Sequence, residues 1–222
     1  MATDHSEATE ATAVTKRLSP TEAGDVLVCG PAMSGKSRIA LELLVAAVVE
    51  TEGRPFYITT TGSATDARAR LDARTPESAS LPRPAVVACD GSPETDEFTR
   101  SVEAPGNLAG IATALTGMYD ESRRSRRLGS RVLVDNLSAL LAAADLEPVY
   151  RFVHALTARV EESGGQTIAT LDTDGLAGGE RPALMGLFDT VVEVRHRDGA
   201  DPEYRLHDED GWHGYAPPEE RS

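Results

Sequence analysis

Short runs of apolar, mostly β-branched residues recur along the chain and predict the strands of a sheet. Six of these runs span residues 25–29, 55–59, 84–89, 131–135, 166–171 and 188–194. Most of them are apolar at nearly every position, which is typical of strands buried on both faces. Because each run is shorter than a typical helix, we interpret all six as strands of one buried sheet.

Longer segments with apolar residues at helical spacing separate the first five runs. These predicted helices span residues 37–50, 65–74, 108–127 and 148–162. Strands that alternate with helices predict a mostly parallel sheet with helices on both faces, which is an α/β fold. The end of the chain differs, because residues 203–208 follow the sixth run after a polar turn and predict an antiparallel hairpin at the sheet edge.

The two ends of the chain lack this alternation. Residues 1–18 are rich in Ala, Thr and acidic residues, and residues 217–222 are polar, so both predict disordered tails. Residues 19–216 are predicted to form one domain, since 222 residues suffice for one well-filled core and no linker divides them. No apolar stretch is as long as a membrane span and no secretion signal is visible, so we expect a cytoplasmic protein without membrane contact.

The charge balance suggests a habitat. The chain has 36 acidic and 22 basic residues, a net charge of -14, and only two lysines, Lys16 and Lys36. Dense carboxylates with few lysines favour a high-salt cytoplasm, because salt screens their mutual repulsion. The absence of a basic stripe disfavours nucleic acid as a partner. The one basic cluster, Arg123–Arg127, suits the last turn of a predicted helix, with an acidic partner or nucleic acid as the alternative.

A phosphate-binding (Walker A) loop is indicated by the run Gly30-Pro31-Ala32-Met33-Ser34-Gly35-Lys36-Ser37, which matches G-x-x-x-x-G-K-S. The run follows a predicted strand and opens a predicted helix, so its backbone N–H groups and the helix N-terminus would cradle phosphates. Lys36 would reach the β- and γ-phosphates, and the Ser37 hydroxyl would bind Mg²⁺. Ser34 is a further candidate phosphate contact, whereas Met33 is expected to fill space beside the loop.

A metal-binding carboxylate is expected at the end of another strand. Asp135 closes the run 131–135 and is the best candidate to hold Mg²⁺ through water. The alternative is that Asp135 only caps the next helix. Both roles are compatible only if its side chain faces the loop. The predicted Mg²⁺ ligands are therefore Ser37 and Asp135.

With these residues in place, the chain resembles RecA-like ATPases of the KaiC/RadA-like branch, in particular short stand-alone proteins of halophilic archaea. The matching segments are GPAMSGKS, EAPGNLAGIATAL (103–115), RVLVDNLSALL (131–141), YRFVHALTARV (150–160) and FDTVVEVR (188–195). The resemblance implies a P-loop NTPase of the RecA/KaiC type that binds ATP and Mg²⁺, with a role in signalling or regulation. It also favours ATP over GTP, since no guanine-reading NKxD motif is visible.

The chain departs from this family at the catalytic base. KaiC-like ATPases usually end the second strand with two glutamates, one of which activates water, whereas Thr61 and Gly62 stand there in this chain. A hydroxyl cannot accept the proton of water at neutral pH, so the base is missing. Asp90, which follows the third strand, is the remaining candidate catalytic residue. Because phosphoryl transfer depends mostly on positioning and charge, the loss predicts slow or absent turnover with binding intact.

Two other family features are weak in this chain. Thr170 and Asp172 close the fifth predicted strand, where RecA-like proteins sense the γ-phosphate, but a carboxylate at Asp172 would repel phosphate. A basic residue that completes a neighbouring subunit's site is expected in the terminal hairpin, where the chain offers only Arg195, Arg197 and Arg205 before an acidic end.

Three functions follow from these observations. The leading hypothesis is a regulatory or signalling switch that binds ATP and Mg²⁺, is at best a slow ATPase, and acts on a protein partner, with self-association left open. One alternative is a DNA-dependent ATPase of the recombinase type, although residues 136–147 are mostly apolar and residues 173–180 short and acidic. The other is a non-catalytic interaction module with a relic phosphate loop, whose apolar surface near residues 137–146 contacts a partner.

Overall fold

A computed structural model of the protein describes residues 13–18, 23–93, 96–124, 130–196 and 201–215. Several features predicted above lie outside these residues. They are residues 1–12 of the N-terminal tail, the whole C-terminal tail, Arg197 and the side chains of the Arg123–Arg127 cluster.

One nine-stranded sheet runs through the described chain. Its strands are β1 (Val26–Gly30), β2 (Pro55–Thr59), β3 (Ala85–Ala88), β4 (Thr99–Ser101), β5 (Arg131–Asp135), β6 (Gln166–Asp172), β7 (Thr190–Arg195), β8 (Glu203–Leu206) and β9 (His213–Gly214). Their order across the sheet is β4-β3-β2-β5-β6-β1-β7-β8-β9. The strands from β4 to β7 pair in parallel, whereas β8 and β9 pair antiparallel at one edge.

Helices cover both faces of this sheet. They are α1 (Ala13–Arg17), α2 (Lys36–Thr51), α3 (Ala64–Asp72), α4 (Leu108–Arg124), α5 (Leu137–Ala143), α6 (Leu146–Glu162) and α7 (Glu180–Met185). Successive strand residues point to opposite faces, so Leu27 packs among residues of α4, α5 and α6, while its neighbour Val28 packs among residues of α1, α2 and α3. The predicted α/β architecture is therefore confirmed, with a mostly parallel sheet, helices on both faces and a terminal antiparallel hairpin.

The predicted disordered tail is wrong for residues 13–18. These residues form α1 and the turn after it, and the side chains of Val14 and Leu18 are buried against α2. Arg17 also forms an ion pair with Glu209 at 2.7 Å between Nη2 and Oε2. A five-residue helix is too short to give a periodic signal, so only the docking on the core of Val14, and of Leu18 just after the helix, reveals it.

The segment after β5, which was interpreted as an apolar surface for a partner, packs inside the domain instead. Residues 137–143 form α5, and the side chains of Leu137 and Leu140 are fully buried in the core. Leu141 and Leu146 are partly buried and pack against the same core. The apolar character of this segment therefore reflects packing inside the domain. Within the described ranges, no helix is both long and apolar enough to cross a membrane.

A half-buried carboxylate just before β1 makes stability depend on pH. Asp25 Oδ1 accepts a hydrogen bond from the Thr167 backbone N–H at 2.6 Å, and the Asp25 N–H donates to Asp189 Oδ2 at 2.8 Å. Burial raises the pKa of Asp25 to about 6, and the charge of Asp189 adds to the rise, although the bond from Thr167 opposes it. Because this pKa lies above the usual 3.8, protonated Asp25 favours the folded state, and that stabilisation is lost as the pH rises from about 4 to 6.

We expect Asp25→Asn to stabilise the protein at pH 7.5. The amide oxygen keeps the bond from Thr167 but carries no charge, so the variant should gain roughly 1 kcal/mol in unfolding free energy after allowance for partial exposure. Urea unfolding at pH 7.5 and pH 4, in constant molar KCl, measures the gain. It should shrink at the lower pH, where the wild-type carboxyl takes up its proton. An equal gain at both pH values would contradict the argument.

Candidate functional site

The predicted site comes together where the carboxyl ends of the adjacent central strands β5, β6 and β1 meet. β6 lies between β1 and β5, and Gly30 at the end of β1 is in register with Asp172 at the end of β6. The Thr173 N–H also donates to the Gly30 carbonyl at 2.9 Å. Segments that are far apart in sequence therefore meet here: the phosphate-binding loop, Asp135 and the turn after β6.

Glycine geometry shapes the loop between β1 and α2. A Cβ on Gly30 would lie 2.3 Å from the Val194 carbonyl oxygen, so only glycine fits there. Met33 and Gly35 take left-handed backbone conformations, with φ of 59° and 90°. Gly35 is the N-cap of α2 and supplies no side-chain cap. The loop therefore presents the N-terminus of a 16-residue helix, which attracts anions.

The side chains of the loop differ in burial. Pro31, Ala32 and Met33 are exposed, and Met33 is 97% exposed, so the expectation that it fills space beside the loop is wrong. Ser34 is fully buried, and its Oγ has no hydrogen-bond partner among the described residues. Lys36 is only 5% exposed.

The Lys36 ammonium lies inside the site. Its Nζ donates to the Pro31 carbonyl at 2.9 Å and forms an ion pair with Asp172 Oδ1. The other oxygen of Asp172 accepts from Asn136 Nδ2 at 2.8 Å. A buried ammonium needs partners of this kind, and a bound phosphate would offer the same charge.

Asp135 faces the loop, as the metal-binding interpretation requires. Its Oδ1 accepts from the hydroxyls of Ser37 and Thr170, each at 3.0 Å, and the side chain is nearly fully buried. The helix-capping interpretation is wrong, because Asn136 is the N-cap of α5 and its side chain accepts from the Ser138 N–H at 2.6 Å.

Two further residues hold Asp135 and were not predicted from the sequence. The Tyr57 hydroxyl donates to Asp135 Oδ2 at 2.9 Å, and Arg70 Nη1 lies 3.5 Å from the same oxygen. Burial, and then the charge of Asp135, raise the pKa of the Tyr57 phenol, so the phenol keeps its proton and remains a donor. The lone tyrosine in an apolar strand is a weak signal of this role. Nothing in the sequence indicates the contact of Arg70 with Asp135, since only the packing of α3 places Arg70 beside that carboxylate.

The oxygens of Ser37 and Asp135 fit a Mg²⁺ ion. Both are hard donors that lie within 3.0 Å of each other at the helix N-terminus. Across the described ranges, no group of three or more His, Cys, Asp or Glu residues forms a metal site on its own. Mg²⁺ suits such a sparse donor set, because it usually binds one or two protein ligands together with phosphate oxygens and water.

The structure does not bring Asp90 to the loop. Asp90 follows β3, which lies four strands from β1 in the sheet, so the two strands are on the order of 19 Å apart. Its Oδ1 accepts from the Ser92 hydroxyl and N–H, and these bonds lower the pKa of its exposed carboxyl. Asp66, the first acid after Thr61, is held in a capping box with Ser63 at the start of α3.

The arginines of the terminal hairpin are occupied within the chain. Arg195 forms an ion pair with Glu203 at 2.7 Å and lies over the Trp212 ring, 3.9 Å from its centroid. Arg205 Nε donates to Glu193 Oε2 at 2.6 Å and lies on the same ring. Both guanidinium groups therefore stabilise the hairpin, which weakens their case as residues that complete a neighbouring site.

Comparison with known families gives one finding. A family model described as "Family of unknown function (DUF7504)" matches residues 23–194. The match covers the phosphate-binding loop and the residues described above that contact Asp135, and it ends within β7, before β8 and β9. No curated protein matches the chain.

Proposed function

This chain belongs to the DUF7504 family, whose function is unknown, and we propose that it is a RecA/KaiC-type switch that binds ATP with Mg²⁺. The observation that carries the proposal is the 3.0 Å hydrogen bond from Ser37 to Asp135, residues 98 positions apart in sequence. It joins a phosphate-loop hydroxyl to a buried carboxylate, the two protein groups that such a cation needs.

In this proposal the loop binds the triphosphate. Backbone N–H groups at the start of α2 and the Lys36 ammonium stabilise the phosphate charges, and Ser37 and Asp135 hold the cation. Bound Mg²⁺ would neutralise part of the negative charge of the phosphates. Tyr57 and Thr170 orient the Asp135 carboxylate by donating to its two oxygens.

Slow or absent hydrolysis is part of the proposal. Three described carboxylates near the loop have other partners: Asp135 accepts hydrogen bonds from Ser37, Thr170 and Tyr57, Asp172 is paired with Lys36, and Asp174 accepts from the Ala32 N–H. No carboxylate follows β2 before Asp66, which caps α3. Without a residue that orients and deprotonates water, the bound nucleotide persists.

A persistent nucleotide suits a regulatory or signalling role with a protein partner, in a high-salt cytoplasm. The acid-rich composition with two lysines supports the habitat, and the absence of a basic stripe in the sequence disfavours nucleic acid as the partner. The preference for ATP over GTP rests on the resemblance to KaiC-like proteins. Self-association stays open within the proposal.

The proposal is tested on the purified full chain in 2 M KCl. Isothermal titration calorimetry with ATP, and with GTP as competitor, should show binding that Mg²⁺ strengthens and that EDTA weakens. Phosphate release should stay below roughly 0.01 s⁻¹, whereas typical enzymes turn over at about 1–1000 s⁻¹. Absence of ATP binding would reject the nucleotide site, and turnover at ordinary enzymatic rates would reject the switch.

A further inference from the structure

We infer that the turn after β6 is an internal competitor of the nucleotide: Asp172 and Asp174 occupy phosphate-binding donors of the loop and leave them when a triphosphate binds. This inference rests on the proposed nucleotide site and describes how that site is regulated.

Three consecutive residues of the turn contact the loop. Asp172 Oδ1 pairs with Lys36 Nζ, the Thr173 N–H donates to the Gly30 carbonyl at 2.9 Å, and Asp174 Oδ2 accepts from the Ala32 N–H at 2.9 Å. The donors that the two carboxylates take, an ammonium and a loop amide, are the kinds of group that bind phosphate oxygens. The turn therefore places two anionic groups where the proposed ligand would place its own.

Electrostatics prevents simultaneous occupancy. Two charges of the same sign about 4 Å apart repel each other, and they do so more strongly near a protein surface than in bulk water because the local dielectric is lower. A triphosphate on the loop would carry several such charges next to both carboxylates. Nucleotide binding therefore requires that the Asp172 side chain rotates away and that Asp174 withdraws.

The structure separates a fixed part of the turn from a movable part. The Asp172 N–H donates to Ser138 Oγ at 2.9 Å, which anchors the end of β6. Beyond it Asp174 is exposed, and the Cβ positions of Gly175, Gly178 and Gly179 meet no atom within 4 Å. Residues 173–175 can therefore change conformation without disturbing the core, whereas Leu176, the next residue, is partly buried and packs against it.

The test measures Mg-ATP affinity by calorimetry in 2 M KCl for Asp172→Asn, Asp174→Asn and the double variant. We expect each single change to tighten binding about three- to tenfold and the double change to tighten it further. Asp145→Asn is the matched control, because Asp145 is an exposed acid that makes no side-chain capping bond. Hydrogen exchange of residues 173–175 in the wild type should become faster when ATP binds.

The outcomes distinguish this inference from the proposed function. Wild-type binding with unchanged or weaker affinity in the Asp174→Asn and double variants overturns the competitor and leaves the nucleotide site standing. If neither the wild type nor the double variant binds Mg-ATP, the nucleotide site and the inference are rejected together. If Asp172→Asn abolishes a measurable hydrolysis without changing affinity, Asp172 is a water-activating base and the competitor role is wrong.

Discussion

Replacing Lys36 with alanine is expected to weaken Mg-ATP binding by at least about 100-fold. The change removes the one lysine at the loop, whose charge-assisted bonds to phosphate oxygens are worth about 1.5–3 kcal/mol each. The fold should persist, because the Asp172 partner left behind is 26% exposed in its side chain and can be hydrated. Calorimetry in 2 M KCl measures the loss of affinity, and thermal unfolding monitored by circular dichroism checks the fold.

Lys16→Ala is the matched control for this experiment. Lys16 is the other lysine of the chain and lies exposed on α1, so its removal changes the net charge equally without touching the loop. The control should bind Mg-ATP like the wild type. A Lys36→Ala variant that keeps every partner contact would instead favour an interaction module with a relic loop, and unchanged Mg-ATP affinity would contradict the phosphate-binding role of Lys36.

Replacing Asp135 with asparagine is expected to remove most of the effect of Mg²⁺ on ATP affinity. Asparagine keeps an oxygen that accepts from Ser37 and Thr170, but it loses the charge that attracts the cation. Loss of a residue that supports a metal from the outer shell typically weakens metal affinity ten- to hundredfold. The ratio of ATP affinities measured with Mg²⁺ and with EDTA should fall by a comparable factor.

This ratio separates a metal role from general damage. Misfolding of Asp135→Asn would lower affinity in both conditions, whereas loss of the metal interaction lowers it only with Mg²⁺. Some destabilisation is also expected, because the buried Tyr57 hydroxyl now meets either the amide nitrogen or a neutral oxygen. A Mg²⁺ effect as large as that of the wild type would contradict the assignment of Asp135.

The strands were predictable because a central parallel strand buries both of its faces. That requirement leaves a continuous apolar run, as in Val132 and Leu133 of β5, which point to opposite cores. β4 was missed because it has only three residues, Thr99–Ser101, at the sheet edge. α1 was missed for a related reason, since among the described side chains of this five-residue helix the buried apolar one is Val14, and one position forms no repeat. Short elements carry too few positions for a pattern.

The sequence alone determined the parts of the site that are local. The order of glycines and the lysine between β1 and α2 specifies a turn into a helix N-terminus, and the aspartate that ends β5 lies at the same sheet edge because parallel strands align their carboxyl ends. Only the tertiary structure decided which groups meet there. The contacts of Asp135 with Tyr57 and Arg70, and those of the turn after β6 with Lys36 and Ala32, depend on strand order and helix docking. No local pattern encodes such distant pairs, because their distances are set by the packing of the whole sheet and its helices.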